Sequence, residues 1–425
     1  MKDQIMKVSD RTRSGGRVLA SCCLALLAGL ATLPVQAVTI PISAHFSPDS
    51  SNPQVNQFKN KTPNSGICSV YPGYCTPTGL FSISLGFEAS TQYPILAGHT
   101  DPRQGAMIKV PGTKTVQVTN PKGHKADIQF SVEAFSGRHW TRNALILINR
   151  TGLGSSDAQN ILWGGASMAW GASAGSPCKP GPWAGPGYDF ANYFWWTPVE
   201  AVCAKSPSYD IDWLRLAIPS VSYKMSTPDP LKMESGTYTG SLTYSVGPGG
   251  DFDFGDNLLA TVDSVTLNFT LTVEHTLKFQ FPAGYGSVTL NPAGGWQQWL
   301  NKGRRPEKLW ADQRFKIWAS SPFSVTLQCD NALNDQCAIK NAAGHTVPVA
   351  TRLTLPGGLR NASNQTVERF LLSTNPEVIS PSQYVDNGNA TLHFEVDRDQ
   401  VKTMIDEHSG STYKGNITVI WNSEI

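Results

Sequence analysis

Thr412-Tyr413-Lys414-Gly415-Asn416-Ile417-Thr418-Val419, close to the last residue of the 425-residue chain, repeats the order of Thr237-Tyr238-Thr239-Gly240-Ser241-Leu242-Thr243-Tyr244. In both copies Thr-Tyr-x-Gly leads into apolar and β-branched residues at every second position, the pattern of a turn feeding a half-buried strand. The glycine is expected to supply a backbone conformation that other residues avoid. Two copies point to two domains of one kind. The sequence downstream of the two copies differs. After the first, a Gly- and Asp-rich turn leads to Ser264–Val273, where Val265, Leu267, Phe269, Leu271 and Val273 share one face. After the second, only Ile420 to Ile425 remain. A second domain of the same topology is therefore expected to lack a strand. Its open edge and apolar surface would be covered by a strand from another chain.

The rest of the chain supports an all-β reading. Lys2, Lys7, Arg11, Arg13 and Arg17 precede the apolar run Val18 to Leu33, and Val35-Gln36-Ala37 fits a small-residue cleavage site. Residues 1 to 37 read as a secretory signal peptide. Beyond it, a low charged content of 16% with many Gly, Pro and aromatic residues favours short strands joined by turns. Strands are expected at Leu80–Phe87, Thr115–Val118, Ala126–Phe135, Ala144–Asn149, Ser287–Leu290, Arg314–Ala319, Phe323–Cys329, Val347–Leu355 and Thr391–Val396. Val401, Met404 and Ile405 mark one helix with Asp397 as its cap. Val38 to Phe46 alternates as well, either as a first strand or as an arm given to a neighbour, with Pro41 demanding an edge. The formal charge of +2 includes the basic leader and leaves no nucleic-acid footprint.

Six cysteines remain after the leader: Cys68, Cys75, Cys178, Cys203, Cys329 and Cys337. An even count in an exported chain favours disulfides over zinc, since no Cys-x-x-Cys occurs, although six thiols allow 15 pairings. Pairing neighbours in sequence gives Cys68 with Cys75, Cys178 with Cys203, and Cys329 with Cys337. Gly171-Ala172-Ser173-Ala174-Gly175 matches a nucleophile-elbow pattern, but the proline-rich run after it cannot form the required helix. Asp251, Asp253 and Asp256 read as a polar turn rather than a calcium loop. No catalytic, metal-binding or cofactor-binding set emerges.

Seven of the 12 tryptophans lie between Trp140 and Trp213, among Gly- and Pro-rich loops. Aromatic faces beside polar loops suit sugars, which stack C–H faces and hydrogen-bond through hydroxyls. Trp183 and Trp195 are the expected stacking rings, with Arg138, His139 and Arg142 as donors. The domain boundary falls near Val273-Glu274-His275-Thr276, which gives domains at 38–274 and 275–425.

Thr266-Leu267-Asn268-Phe269-Thr270-Leu271-Thr272-Val273-Glu274-His275-Thr276-Leu277-Lys278-Phe279 at that boundary, with Tyr413-x-Gly415-x-Ile417-Thr418-Val419 near the end, resembles the two-domain tip adhesins of bacterial chaperone-usher pili. The resemblance implies two tandem immunoglobulin-like β-sandwiches, an N-terminal adhesin domain and a C-terminal pilin domain lacking its last strand. It also implies export through the periplasm to a surface fimbrium, with a periplasmic chaperone, an outer-membrane usher and an adjacent pilin subunit as partners. Tyr413, Ile417, Val419 and Trp421 would contact the chaperone or donor strand. A host or surface glycan would be the ligand of the first domain. Glu424 and Thr412 stand where many such subunits carry an aromatic residue and a glycine, and the alternating N-terminus also fits a minor or adaptor subunit. A secreted carbohydrate-active enzyme with an accessory β domain is the competing class.

Overall fold

The computed structural model describes residues 37–165, 177–181, 185–197 and 200–423, all within one compact unit. Residues 1–36, which carry the expected signal sequence, lie outside that set, as do Trp183 and the Gly171–Gly175 motif. The described chain is nearly all β, in several sheets, as the all-β reading of the sequence expects.

The first part of the chain is ordered by its most regular alternation. We number its strands β1 (Ala37–Phe46), β2 (Phe81–Ser84), β3 (Ala89–Thr91), β4 (Lys114–Thr119), β5 (Lys125–Thr141), β6 (Phe190–Trp196), β7 (Leu214–Ser226), β8 (Gly236–Ser245), β9 (Leu258–Ala260) and β10 (Ser264–Val273). Along β10, Val265, Leu267, Phe269, Leu271 and Val273 are all buried while Asn268 and Thr270 face out. β10 pairs antiparallel with β8 from Gly236↔Val273 to Ser245↔Ser264. On its other side it pairs parallel with β1, from Ala37↔Ser264 to Phe46↔Val273. Ile42, Ala44 and Phe46 thereby enter the core of their own half, so the alternating N-terminus is a first strand and not an arm. Pro41 fits because the outer edge of β1 is paired only at Ala44 and His45, by Asn60 and Lys59.

The sheet continues in the order β9-β3-β7-β5-β4-β8-β10-β1, with β2 joined to β7 and β6 to β5. β5 and β7, of 17 and 13 residues, are the longest strands of this sheet. Two segments differ from the strand pattern. Ala144–Leu147 forms a helical turn capped by the Asn143 side chain, which accepts from the Leu145 amide at 3.0 Å. Ser155–Trp163 forms helix α1, burying Ala158, Gln159, Leu162 and Trp163 and ending at left-handed Gly164.

The remaining strands are β11 (Leu277–Gln280), β12 (Leu309–Ala319), β13 (Phe323–Cys329), β14 (Gln336–Lys340), β15 (Thr346–Pro348), β16 (Ala350–Thr354), β17 (Leu359–Asn361), β18 (Phe370–Leu371), β19 (Glu377–Pro381), β20 (Val385–Val396) and β21 (Ile417–Asn422). Two sheets, β11-β12-β20-β16-β18 and β17-β19-β13-β21, enclose one core. Phe315, Ile317 and Leu392 come from the first, and Phe323, Val325 and Ile379 from the second. Helix α2 (Gln297–Lys302) occupies the polar stretch before β12, and α3 (Arg398–Asp406) starts where Asp397 accepts from the Gln400 amide at 3.0 Å. Ser287–Leu290 is irregular rather than a strand.

Among the described strands, no pairing joins β1–β10 to β11–β21, and the main cores are separate clusters. The chain crosses between them at His275. Its Nε2 lies 2.8 Å from the Met233 carbonyl oxygen and its Nδ1 3.1 Å from Ser320 Oγ, while Phe46 meets its ring edge-on at 5.6 Å. Burial holds its pKa below the ordinary histidine value.

Candidate functional site

β21 begins at Ile417, in the last residues of the second copy of the repeat, and its packing is incomplete. It pairs with β13 from Ile417↔Cys329 to Asn422↔Ser324, and no described strand pairs with its other edge. Ile417, Val419 and Trp421 point inward but remain only half-buried. In β10, by contrast, every inward residue is buried, because β8 and β1 flank it. An open groove of about 670 Å³ runs beside β21. Ile417, Val419 and Trp421 line it together with Phe281, Leu290 and Leu392. Its aromatic end is firmly built: Trp421 lies 4.6 Å from Phe279, and Phe281 stacks on Phe315 at 5.0 Å. Tyr285 and Val288, which also line the groove, are 63% and 39% exposed.

Tyr413 does not join Ile417, Val419 and Trp421 in lining the groove. Its hydroxyl lies 2.8 Å from His345 Nδ1 and 3.3 Å from Asn341 Nδ2, and its ring packs with the small cluster around Val347, Val349 and Val401. The reason is positional: Lys414 is bridged to Lys340, which turns the preceding tyrosine toward β14 rather than the groove.

The three disulfides are Cys68–Cys75, Cys178–Cys203 and Cys329–Cys337, with Cα atoms 5.7, 5.8 and 5.3 Å apart, as neighbour pairing predicts. Cys329–Cys337 ties β13, the partner of β21, to β14. The Asp-rich turn is an ion-paired staple: Asp253 accepts from Arg103 Nη1 at 2.9 Å and Asp256 from Arg103 Nη2 at 2.6 Å. Burial works against the charge on Asp253, but Arg103 and the Gly255 and Gly249 amides still hold its pKa low.

The expected ligand residues separate by strand parity. Trp195 is fully buried, 5.5 Å from Tyr193 in the core, so it is not a stacking ring. Trp196 is the outward member of the pair, and it lies over the Cys68–Cys75 cluster. His139 is also fully buried, and desolvation pushes its pKa down to about 3, which keeps it neutral at physiological pH and inside the core. Arg142 is exposed and reaches Asp212 at 3.4 Å. Arg138 lies on the outer face of β5, where its Nε donates to Asn192 Oδ1 at 2.8 Å and its guanidinium sits 4.4 Å from the Phe190 ring and 5.5 Å from Trp140. Phe190 and Arg215 complete this face and are not evident from composition. The signal available for them is the parity that puts Arg138 and Trp140 opposite His139.

No protein-family model matches the sequence, and no curated protein matches it. Among solved structures the chain is similar to the CsuC–CsuE chaperone–tip adhesion subunit pre-assembly complex from archaic chaperone-usher Csu pili of Acinetobacter baumannii. That similarity has 10% identity and a TM-score of 0.19, covering 91% of this chain and 98% of the other. No helix among the described residues is long and apolar enough to cross a membrane.

Proposed function

We propose that this chain is a subunit of a chaperone-usher pilus, a tip adhesin or minor tip subunit, carrying a binding domain at 38–274 and a pilin domain at 275–425. The observation that carries the reading is the unpaired edge of β21 beside its apolar groove. An exposed edge with half-buried Ile417, Val419 and Trp421 is a template for strand addition, and a strand laid there would take their apolar surface out of water. The first half supplies the template for the filled state. There β8, which carries the first repeat, is followed by β10, whose five alternating apolar residues lie between β8 and β1. The strand would come first from a periplasmic chaperone, then, at the outer-membrane usher, from an adjacent pilin subunit, and the product would stand on the cell surface as a fimbrium. The first domain binds a host or surface glycan, without catalysis or cofactor.

The test is a synthetic peptide with the alternation of Ser264–Val273, added to the purified chain. Strand addition predicts one peptide bound per chain and a higher melting temperature for the C-terminal half. Replacing Val419 with Asp should abolish both effects. If neither stability nor stoichiometry responds to the peptide, the pilus reading fails.

A further inference from the structure

The outer face of the first half carries a platform of aromatic rings and guanidinium groups. Pairing of Trp140 with Phe190 on one side and Arg215 on the other brings outward side chains of β5, β6 and β7 together. The Trp140 and Phe190 rings lie 5.1 Å apart at 48°. Arg138 sits over both rings, and Arg215 approaches Trp140 from the other side at 5.9 Å. One indole is thus flanked by two guanidinium groups.

The charge on this face is incompletely answered. No carboxylate among the described residues forms an ion pair with Arg138, whose Nε is held by the neutral side chain of Asn192. Arg215 reaches only Glu88, at 3.6 Å, and both side chains are nearly half exposed, so water screens that pair. The neighbouring backbone is irregular. Ile218, one residue past the partner of Arg138, has φ 51°, the only β-branched residue with a positive φ among the described residues, and is 59% exposed. A bulge of this kind re-aims side chains at a sheet surface and is strained for a β-branched residue. The platform is also remote from the junction with the second half. β5 begins at Lys125, in the cavity shared with His275 and Leu277, and Arg138 lies 13 residues further on, roughly 40 Å along an extended strand.

Resting on the glycan-binding reading, we infer that this face binds an acidic saccharide, with the sugar's C–H face on Trp140 and Phe190 and its carboxylate on Arg138 and Arg215. A guanidinium presents paired donors that match a carboxylate, and its position against the rings pre-organises them. The tilted ring pair offers C–H contacts to a pyranose rather than to an extended peptide, since the outer sheet face offers no unpaired edge there.

The experiment measures binding of sialyllactose against lactose, and of oligogalacturonate against its carboxyl-reduced form, to the full exported chain. A polyglutamate peptide is run alongside. The acidic member of at least one sugar pair should bind at least tenfold more tightly than its neutral counterpart. Arg138→Gln should remove that preference, and Trp140→Ala should weaken binding of both members, with the melting temperature nearly unchanged in each. Arg215→Gln serves as a second variant should Trp140→Ala fail to fold. Acidic binding unaffected by Arg138→Gln and Arg215→Gln would place the site elsewhere and overturn the inference while leaving glycan binding standing. Polyglutamate bound as tightly as the acidic sugars would also overturn it. Binding of no saccharide on a broad array would remove the glycan reading itself.

Discussion

Gly240 and Gly415, the glycines of the two repeats, are explained by steric contact rather than by backbone freedom. Neither has a positive φ; a Cβ on Gly240 would lie 2.5 Å from the Gln117 carbonyl oxygen, and one on Gly415 would lie 2.7 Å from that of Ala338. Each marks a close approach of two backbones. Gly240→Ala and Gly415→Ala should each cost about 1–3 kcal/mol in chemical denaturation, and an unchanged midpoint would show that the strands can part without cost. The same scale separates the core ring Trp195 from the surface ring Trp140. Trp195→Ala empties a fully buried position and should cost about 3–5 kcal/mol, whereas Trp140→Ala should leave stability nearly intact. His139 predicts a pH dependence. Its folded-state pKa of about 3 lies below the ordinary 6.5 because burial disfavours the charged ring. As pH falls below about 6.5 the unfolded chain takes up a proton that the folded chain refuses, so stability present above that pH is lost progressively toward pH 3. His275, also lowered by burial, adds in the same direction. The loss should amount to a few kcal/mol, and His139→Phe should flatten it between pH 7 and 5, a range where the paired carboxylates remain charged.

Elements were legible where their pattern is local. The alternation of Ser264–Val273 places five residues on one face without reference to any neighbour, and the structure buries all five. Asp397 marks the start of α3 from three residues of sequence. Neighbour pairing of the cysteines needs only short loops. Features that depend on a partner were not legible. Alternation requires one of Trp195 and Trp196 to face outward, but the register of β6 against β5 decides which. Helix α1 escapes a reading by strand period because its buried Ala158, Gln159, Leu162 and Trp163 repeat at helical spacing inside a tryptophan-rich stretch that reads as loop. The edge of β21 was legible from the repeat, while the separation of Tyr413 from the groove was not, since it depends on the bridge from Lys414 to Lys340. At this scale the Cys329–Cys337 bond has a specific role: Cys329 is paired with Ile417, so the bond fixes the strand on which β21 rests. Cys329→Ser should destabilise the C-terminal half by about 2–5 kcal/mol and weaken peptide capture by β21, which a thermal melt with and without peptide would measure.

At the scale of the whole molecule, strand pairing and the main cores separate at Glu274–Thr276, yet side chains of the two halves touch. His275 reaches both Met233 and Ser320, and Ser50 donates to Asp386 at 2.9 Å. Contacts this few should not fuse two separate cores into one cooperative unit. The chain should therefore melt in two transitions. The lower belongs to the C-terminal half, whose β21 leaves apolar side chains half covered. The upper belongs to the N-terminal half, whose β10 is flanked on both sides. A strand peptide that fills the groove stabilises only the folded C-terminal half, so it should raise the lower transition and leave the upper where it was, the gap closing as peptide concentration rises. Residues 38–274 alone should reproduce the upper transition, and residues 275–425 alone should be marginal without peptide and cooperative with it. Calorimetry of the full chain and of both fragments separates this from the alternative. A single transition that shifts as one with peptide would mean that the junction at His275 couples the halves into one folding unit, and the proposed boundary between residues 274 and 275 would then have no thermodynamic meaning.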